Sequence, residues 1–231
     1  MSKTKTIFIV CLLVILAFTL IIYFSESPVL LFQKIKKQNN IGAITIRDNV
    51  IPFQKFGTRL FSYPYLNACY GKVVYLTEYQ KYGQHQEFVT QLNTLLDQYA
   101  SVDIYLLAHA NTYYSWVAEL DSVKRQKIRL VYNTGCSGAG QSDIWLHLGA
   151  KSYVAHSGKE SLSPVFYFYF LRRWCAGYTL QKAIAEANNF LEIKLNRFKL
   201  YSLSAISVDS IQLNESQAQC FGQNNYKLSN E

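Results

Sequence analysis

Two residues of this chain could act together on a carbonyl group. His109 directly follows the apolar run VDIYLLA at 102–108, and Cys136 follows the run IRLVY at 128–132 after three residues. A cysteine attacks as its thiolate, and a histidine beside it supplies first a base and then an acid. Gly135, Gly138 and Gly140 flank the cysteine closely, which lets backbone N–H groups turn inward as an oxyanion hole requires. His156 ends another apolar run and reads as a rival base or a wall of the substrate pocket, shaped together with Ser157, Gly158 and Lys159. Asp143 falls at a helix start, where it answers free amides or recognises a basic substrate side chain. Each residue also has a plainer role: a cysteine is often a small buried hydrophobe, and a histidine at a strand end is often a hydrogen-bonded core residue. His85 and His147 read as surface residues.

Delivering His109 and Cys136 to one place falls to the elements that precede them. Residues 41–47 suggest a short strand, and the stretch from there to Gly71 is aromatic and irregular, broken at Pro52, Gly57 and Pro64. Regular alternation then begins, with strands predicted at 72–77, 102–108, 128–132 and 152–156 from short apolar runs rich in β-branched residues. Helices are predicted between and after them at 85–99, 113–124, 143–148, 164–175 and 180–198, the last with Thr179 as its N-cap. The first of these puts Phe88, Leu92, Leu95, Leu96 and Tyr99 on one face, and the second presents Trp116, Val117, Leu120 and Val123. Such alternation implies an α/β fold, a mostly parallel sheet flanked by helices on both faces. Ligands of such sheets bind beyond the carboxyl ends of the strands, and both His109 and Cys136 fall at strand ends of that kind.

The pairing of an apolar strand ending in His with a later one running into LVYNTGCSGAG resembles the caspase–hemoglobinase fold of clan CD cysteine peptidases, and most closely its CHAT and legumain-like members. The segment Leu148-Gly149-Ala150-Lys151-Ser152-Tyr153-Val154-Ala155 is similar to the turn and strand that follow in CHAT proteins, and Gly177-Tyr178-Thr179-Leu180 with Ala183 and Ala187 resembles their closing helix. The resemblance covers roughly residues 72–198. It implies a three-layer α/β/α domain, His109 as general base and Cys136 as nucleophile. It also implies an oxyanion hole built from backbone around Cys136, here Ala110, Gly135 and Cys136; the residues themselves suggest a substrate pocket at Asp143, His156 and Ser157, and no cofactor or metal is expected. Ala110 departs from the pattern, because the family histidine is usually followed by glycine, and the 27-residue spacing is short for the family. These departures keep open a catalytically inactive binding or scaffold module of the same fold. An α/β-hydrolase does not fit, because the G-x-S-x-G pattern is absent and the histidine precedes the nucleophile.

Ahead of this domain, residues 7–24 read IFIVCLLVILAFTLIIYF with no charge, enough for a single transmembrane helix. Lys3 and Lys5 precede it as in a signal peptide, but the run exceeds an ordinary signal core and no small-x-small site follows, so a retained signal-anchor is expected. Lys34, Lys36 and Lys37 balance the leading lysines, so the charge rule does not decide orientation. The usual signal-anchor arrangement puts the domain outside the cytoplasm. The organisation expected is thus a tail at 1–6, the anchor at 7–24, a juxtamembrane connector at 25–40, one domain at 41–216 and a polar tail at 217–231. With half its residues hydrophobic and 16% charged, the chain has the means to pack a core. The net charge of +8 is spread along the chain, and no segment resembles a nucleic-acid module, so the expected partners are a peptide or protein substrate and the membrane. The oligomeric state is left open. No cysteine lies in a C-x-x-C pair or at zinc spacing, and one disulfide among Cys69, Cys175 and Cys220 fits an outside domain, with Cys136 left free.

Overall fold

A computed structural model describes residues 3–24, 36–48, 57–77, 84–109, 111–159, 163–201 and 210–229, with the backbone alone at 3–4, 18–24, 163–165, 194–201 and 210–212. The chain divides into two units, Met1–Lys34 and Ile35–Glu231. In the first unit the uncharged run forms a single helix, α1 (Lys3–Phe24). Its side chains are described from Lys5 to Ala17, and Ile7, Phe8, Leu12, Leu13, Val14 and Leu16 are all exposed, so apolar groups lie on every side. Among the described residues no helix is long and apolar enough to cross a membrane.

The second unit follows the alternation expected from the sequence. Its elements run β1 (Gln38–Asp48), α2 (Tyr63–Cys69), β2 (Tyr70–Thr77), α3 (Gln84–Gln98), β3 (Ser101–Ala108), α4 (Tyr114–Ala118), α5 (Ser122–Arg125) and β4 (Ile128–Asn133). They continue with α6 (Ser142–His147), β5 (Ser152–His156), α7 (Ser163–Cys175), α8 (Leu180–Tyr201), α9 (Ser210–Ser216) and β6 (Ala218–Gly222). The strands form one six-stranded sheet in the order β2-β1-β3-β4-β5-β6, parallel except for the antiparallel edge strand β6. This is an α/β fold with helices on both faces.

Residue alternation along the strands separates the two faces of the sheet. On one, Ile44, Ile46, Ile104, Leu106 and Val131 pack under Phe88, Leu92 and Leu96 of α3, Val117 of α4 and Trp145 of α6. The other face is aromatic: Tyr105 and Tyr132 meet Tyr167, and Tyr132 also stacks on Phe166 and Phe170 of α7. That face also buries an ion pair, with Arg129 Nε and Nη2 donating to Asp103 at 2.9 and 2.5 Å. Removing two charges from water costs several kcal/mol per ion, so such a pair is tolerated when its remaining polar atoms find partners. Here Tyr70 Oη donates to Asp103 at 2.6 Å, Arg129 Nη1 donates to the Leu228 carbonyl at 3.1 Å, and the rings of Trp174 and Tyr226 lie 5.4 and 5.6 Å from the guanidinium.

Four expectations need correction. The strand expected at 41–47 is an eleven-residue strand at the interior of the sheet, because β1 bonds to both β2 and β3. Pro64 does not break the region before β2: it sits in the first turn of α2, where a proline has no hydrogen bond to lose, and a π-helical turn (Thr58–Ser62) leads into it. The single helix expected at 113–124 is two short ones, since the Asp121 carboxylate accepts from the N–H groups of Val123 and Lys124 and starts α5 afresh. Val123 is consequently 75% exposed instead of on the core face. The tail expected from residue 217 is β6 followed by a segment that caps α8, whose Leu180 and Gln181 N–H groups donate to the carbonyls of Tyr226 and Asn224 at 2.8 and 2.9 Å. Cys69 and Cys175 form a disulfide that joins the ends of α2 and α7, and Cys136 and Cys220 are free.

Candidate active site

β3 and β4 are parallel neighbours whose register pairs Leu106 with Asn133, so both chains leave the sheet at the same rim. His109 follows β3 directly, and Cys136 lies three residues beyond the end of β4. The Cys136 Sγ stands 3.4 Å from His109 Nδ1 and 3.9 Å from Nε2. His109 is exposed and Cys136 is half-buried, which leaves both open to a ligand at the rim. A thiol and an imidazole at this separation can exchange a proton directly.

The cysteine loop is held from below. Thr134 donates to the Leu106 carbonyl from its N–H at 3.0 Å and from its hydroxyl at 3.2 Å. Asn133 is fully buried, and its Oδ1 accepts from the Gly135 N–H and from Asn111 Nδ2, both at 2.9 Å. Its Nδ2 donates to the Tyr153 hydroxyl at 3.0 Å and to Gln141 Oε1 at 3.4 Å. Gln141 Nε2 in turn donates to the Asn111 carbonyl at 2.8 Å, and Tyr153 Oη donates to the Gly138 carbonyl at 2.7 Å. Burial pushes the Tyr153 phenol up, so it stays protonated as that donor.

The loop conformation is demanding at two points. A Cβ on Gly135 would come within 2.7 Å of Asn111 Nδ2, so glycine is there for close approach. Ser137, directly after the cysteine, has φ of 52°, the only non-glycine residue with positive φ among those described. Its N–H donates to the Gly158 carbonyl at 3.0 Å, which ties the cysteine loop to the segment leaving β5.

The remaining expected site residues are placed as follows. The Gly135 N–H is engaged by Asn133, and those of Gly138 and Gly140 bond the carbonyls of Gly135 and Ser137, so these glycines supply no oxyanion donor. The Cys136 N–H makes no hydrogen bond among the described residues, and Ala110 lies outside them. Asp143 is exposed in the first turn of α6, where its carbonyl meets His147 Nδ1 at 2.8 Å. His156 is neither a base nor a pocket wall, because it is fully buried. Its Nδ1 donates to the Ser216 carbonyl at 2.8 Å and its Nε2 accepts from Tyr132 Oη at 3.0 Å. Ser157 is exposed beside Gly158, one residue from the bond that reaches the cysteine loop.

Sequence reasoning missed Asn111, Asn133, Gln141 and Tyr153, the residues that fasten the rim. One signal existed, an asparagine closing the mostly apolar strand IRLVY, since a buried carboxamide must find partners on both of its atoms. Among the described residues no group of His, Cys, Asp and Glu is placed to hold a metal ion. No protein-family model matches the chain, and no curated protein matches it.

Proposed function

We propose that this chain is a membrane-tethered cysteine endopeptidase of caspase-like fold. Cys136 attacks the scissile carbonyl and forms the new C–S bond while His109 takes the thiol proton. The tetrahedral oxyanion is met by the Cys136 N–H. The amine then leaves with the proton from His109, and water hydrolyses the acyl-enzyme by the same proton exchange in reverse. The observation that carries this reading is the 3.4 Å separation of Cys136 Sγ and His109 Nδ1 at the carboxyl rim of a parallel sheet. Cys220 gives an internal comparison, because burial pushes its thiol up to about 11 and lowers its reactivity.

The tether rests on the uncharged residues 7–24, a length of about 27 Å as helix, close to a hydrocarbon core. The Cys69–Cys175 disulfide favours an oxidising compartment for the domain and hence the extracytoplasmic side. A second reading, a non-catalytic binding module at the membrane, is favoured by one feature. The amides of Gly135, Gly138 and Gly140 around Cys136 are internally bonded and offer nothing to an oxyanion.

Alkylation with iodoacetamide separates the two. In an endopeptidase Cys136 is labelled at least about tenfold faster than Cys220, and His109→Ala slows Cys136 severalfold while leaving Cys220 unchanged. Equal labelling of the two thiols in the unaltered chain ends the peptidase reading.

A further inference from the structure

In a working nucleophile–base pair a third group usually orients the base. Among the described residues the His109 ring is bonded to nothing but Cys136 Sγ. Its direction is therefore set by the backbone that carries it and by whatever fixes that backbone against the cysteine loop. Among the described residues, the Asn133 side chain holds both loops. The Asn133 Oδ1 accepts from Asn111, two residues after His109, and from the N–H of Gly135, one residue before Cys136, each at 2.9 Å. Gln141 closes the circuit from the far side, bonding the Asn111 carbonyl at 2.8 Å and Asn133 Nδ2 at 3.4 Å.

We propose that Asn133 is a positioning residue which, through Asn111 and Gln141, sets the approach of His109 to Cys136. This deepens the dyad reading above and rests on it. A carboxamide is suited to the task because it accepts on one atom and donates on the other; a carboxylate could hold Asn111 and Gly135 but would face the Gln141 oxygen with a charge. The missing side chain of Gly135 belongs to the same device. Asn111 Nδ2 occupies the space a Cβ would need, 2.7 Å away, so the cysteine loop admits the asparagine of the histidine loop only with glycine there. A buried asparagine needs partners wherever it sits, but these partners come from two loops that each carry one reacting group, Asn111 from that of His109 and Gly135 from that of Cys136.

The test uses iodoacetamide on the full chain in detergent, with Cys136 labelling read against Cys220. Gly135→Ala removes no polar group and displaces Asn111, while Asn111→Ala removes the link itself; each is expected to slow Cys136 labelling severalfold, by about as much as His109→Ala does. The decisive reading is a double-mutant cycle with His109→Ala. In the unaltered chain His109→Ala slows labelling severalfold, whereas in either clamp variant it changes the rate by less than about twofold, because the base is already out of place. General loosening of the fold would not remove the coupling to one histidine, and it would also raise Cys220 labelling, which is expected to stay constant. Clamp variants that label at the unaltered rate, or in which His109→Ala costs its full factor again, overturn the positioning role and leave the dyad standing. An unaltered chain indifferent to His109→Ala overturns the dyad and the clamp together. Asn133→Ala is the direct variant, and if it fails to fold the two loop variants carry the test.

Discussion

His109 and His156 both end strands on the same rim, yet they live in opposite surroundings. The first is exposed beside a thiol, and the second is sealed under Phe166 with a carbonyl on one nitrogen and a phenol on the other. Burial lowers the His156 pKa to about 4, since charging a desolvated imidazole outweighs the support of its backbone acceptors. The linkage sign follows from that depression. Between pH 6.5 and 4 the unfolded chain takes up a proton that the folded chain refuses, so stability is present above pH 6.5 and is lost on acidification. The span corresponds to something on the order of 3 kcal/mol. His156→Gln is expected to cost stability at pH 7 through lost packing, and that deficit should shrink steadily as the pH falls to 4. Urea unfolding of both chains at a series of pH values measures it; a deficit independent of pH removes the buried neutral imidazole from the account. Nothing in a single sequence separates these two histidines, because each follows an apolar run of similar character. The difference lies in α7 and the 216–218 segment, which cover one and leave the other open.

The elements that proved hardest to anticipate are the ones fixed by contacts distant in sequence. β3 and β4 were legible because apolar β-branched runs bounded by polar turns have few other fates, and with them came the shared rim of His109 and Cys136. β6 was not, since Gln219 and Gly222 carry no pattern of their own and the strand exists by pairing with β5. The break between α4 and α5 was hidden because Trp116, Val117, Leu120 and Val123 keep helical spacing across it; the Asp121 cap overrides that pattern. The choice among Cys69, Cys175 and Cys220 was likewise undecidable until α2 and α7 were brought side by side. That disulfide closes a span of 106 residues, and in a chain-entropy account a loop of this order destabilises the unfolded state by about 4–5 kcal/mol. It has local help from Trp174, whose indole donates to Tyr70 Oη at 3.0 Å, so the two helix ends stay registered apart from the covalent bond. Reductant is therefore expected to lower the urea midpoint substantially without abolishing the fold, and Cys175→Ser should match the reduced chain and ignore reductant. A midpoint unmoved by reductant in the unaltered chain means that the bond is not formed in solution.

For the molecule as a whole, the question is where a domain of this kind would work. Eighteen uncharged residues at 7–24 cannot be covered by an amphipathic fit, because the helix they form is apolar on every described side. The proposed tether predicts that salt and alkaline carbonate do not strip the full chain from membranes, because burying such a surface in hydrocarbon is favourable by about 25 cal/mol per Å². A chain lacking residues 1–34 should stay in the supernatant, since those residues form a unit separate from the α/β domain. Under the proposed tether, the side of the membrane is open to a separate test. A disulfide such as Cys69–Cys175 persists in oxidising compartments, and Cys136, which is free and half-buried, would there remain open to labelling from outside. A membrane-impermeant maleimide applied to intact cells is accordingly expected to label Cys136 at the rate seen after lysis. Labelling that appears only once the membrane is opened places the domain on the cytoplasmic side, and then the Cys69–Cys175 bond should also be found reduced in the cell.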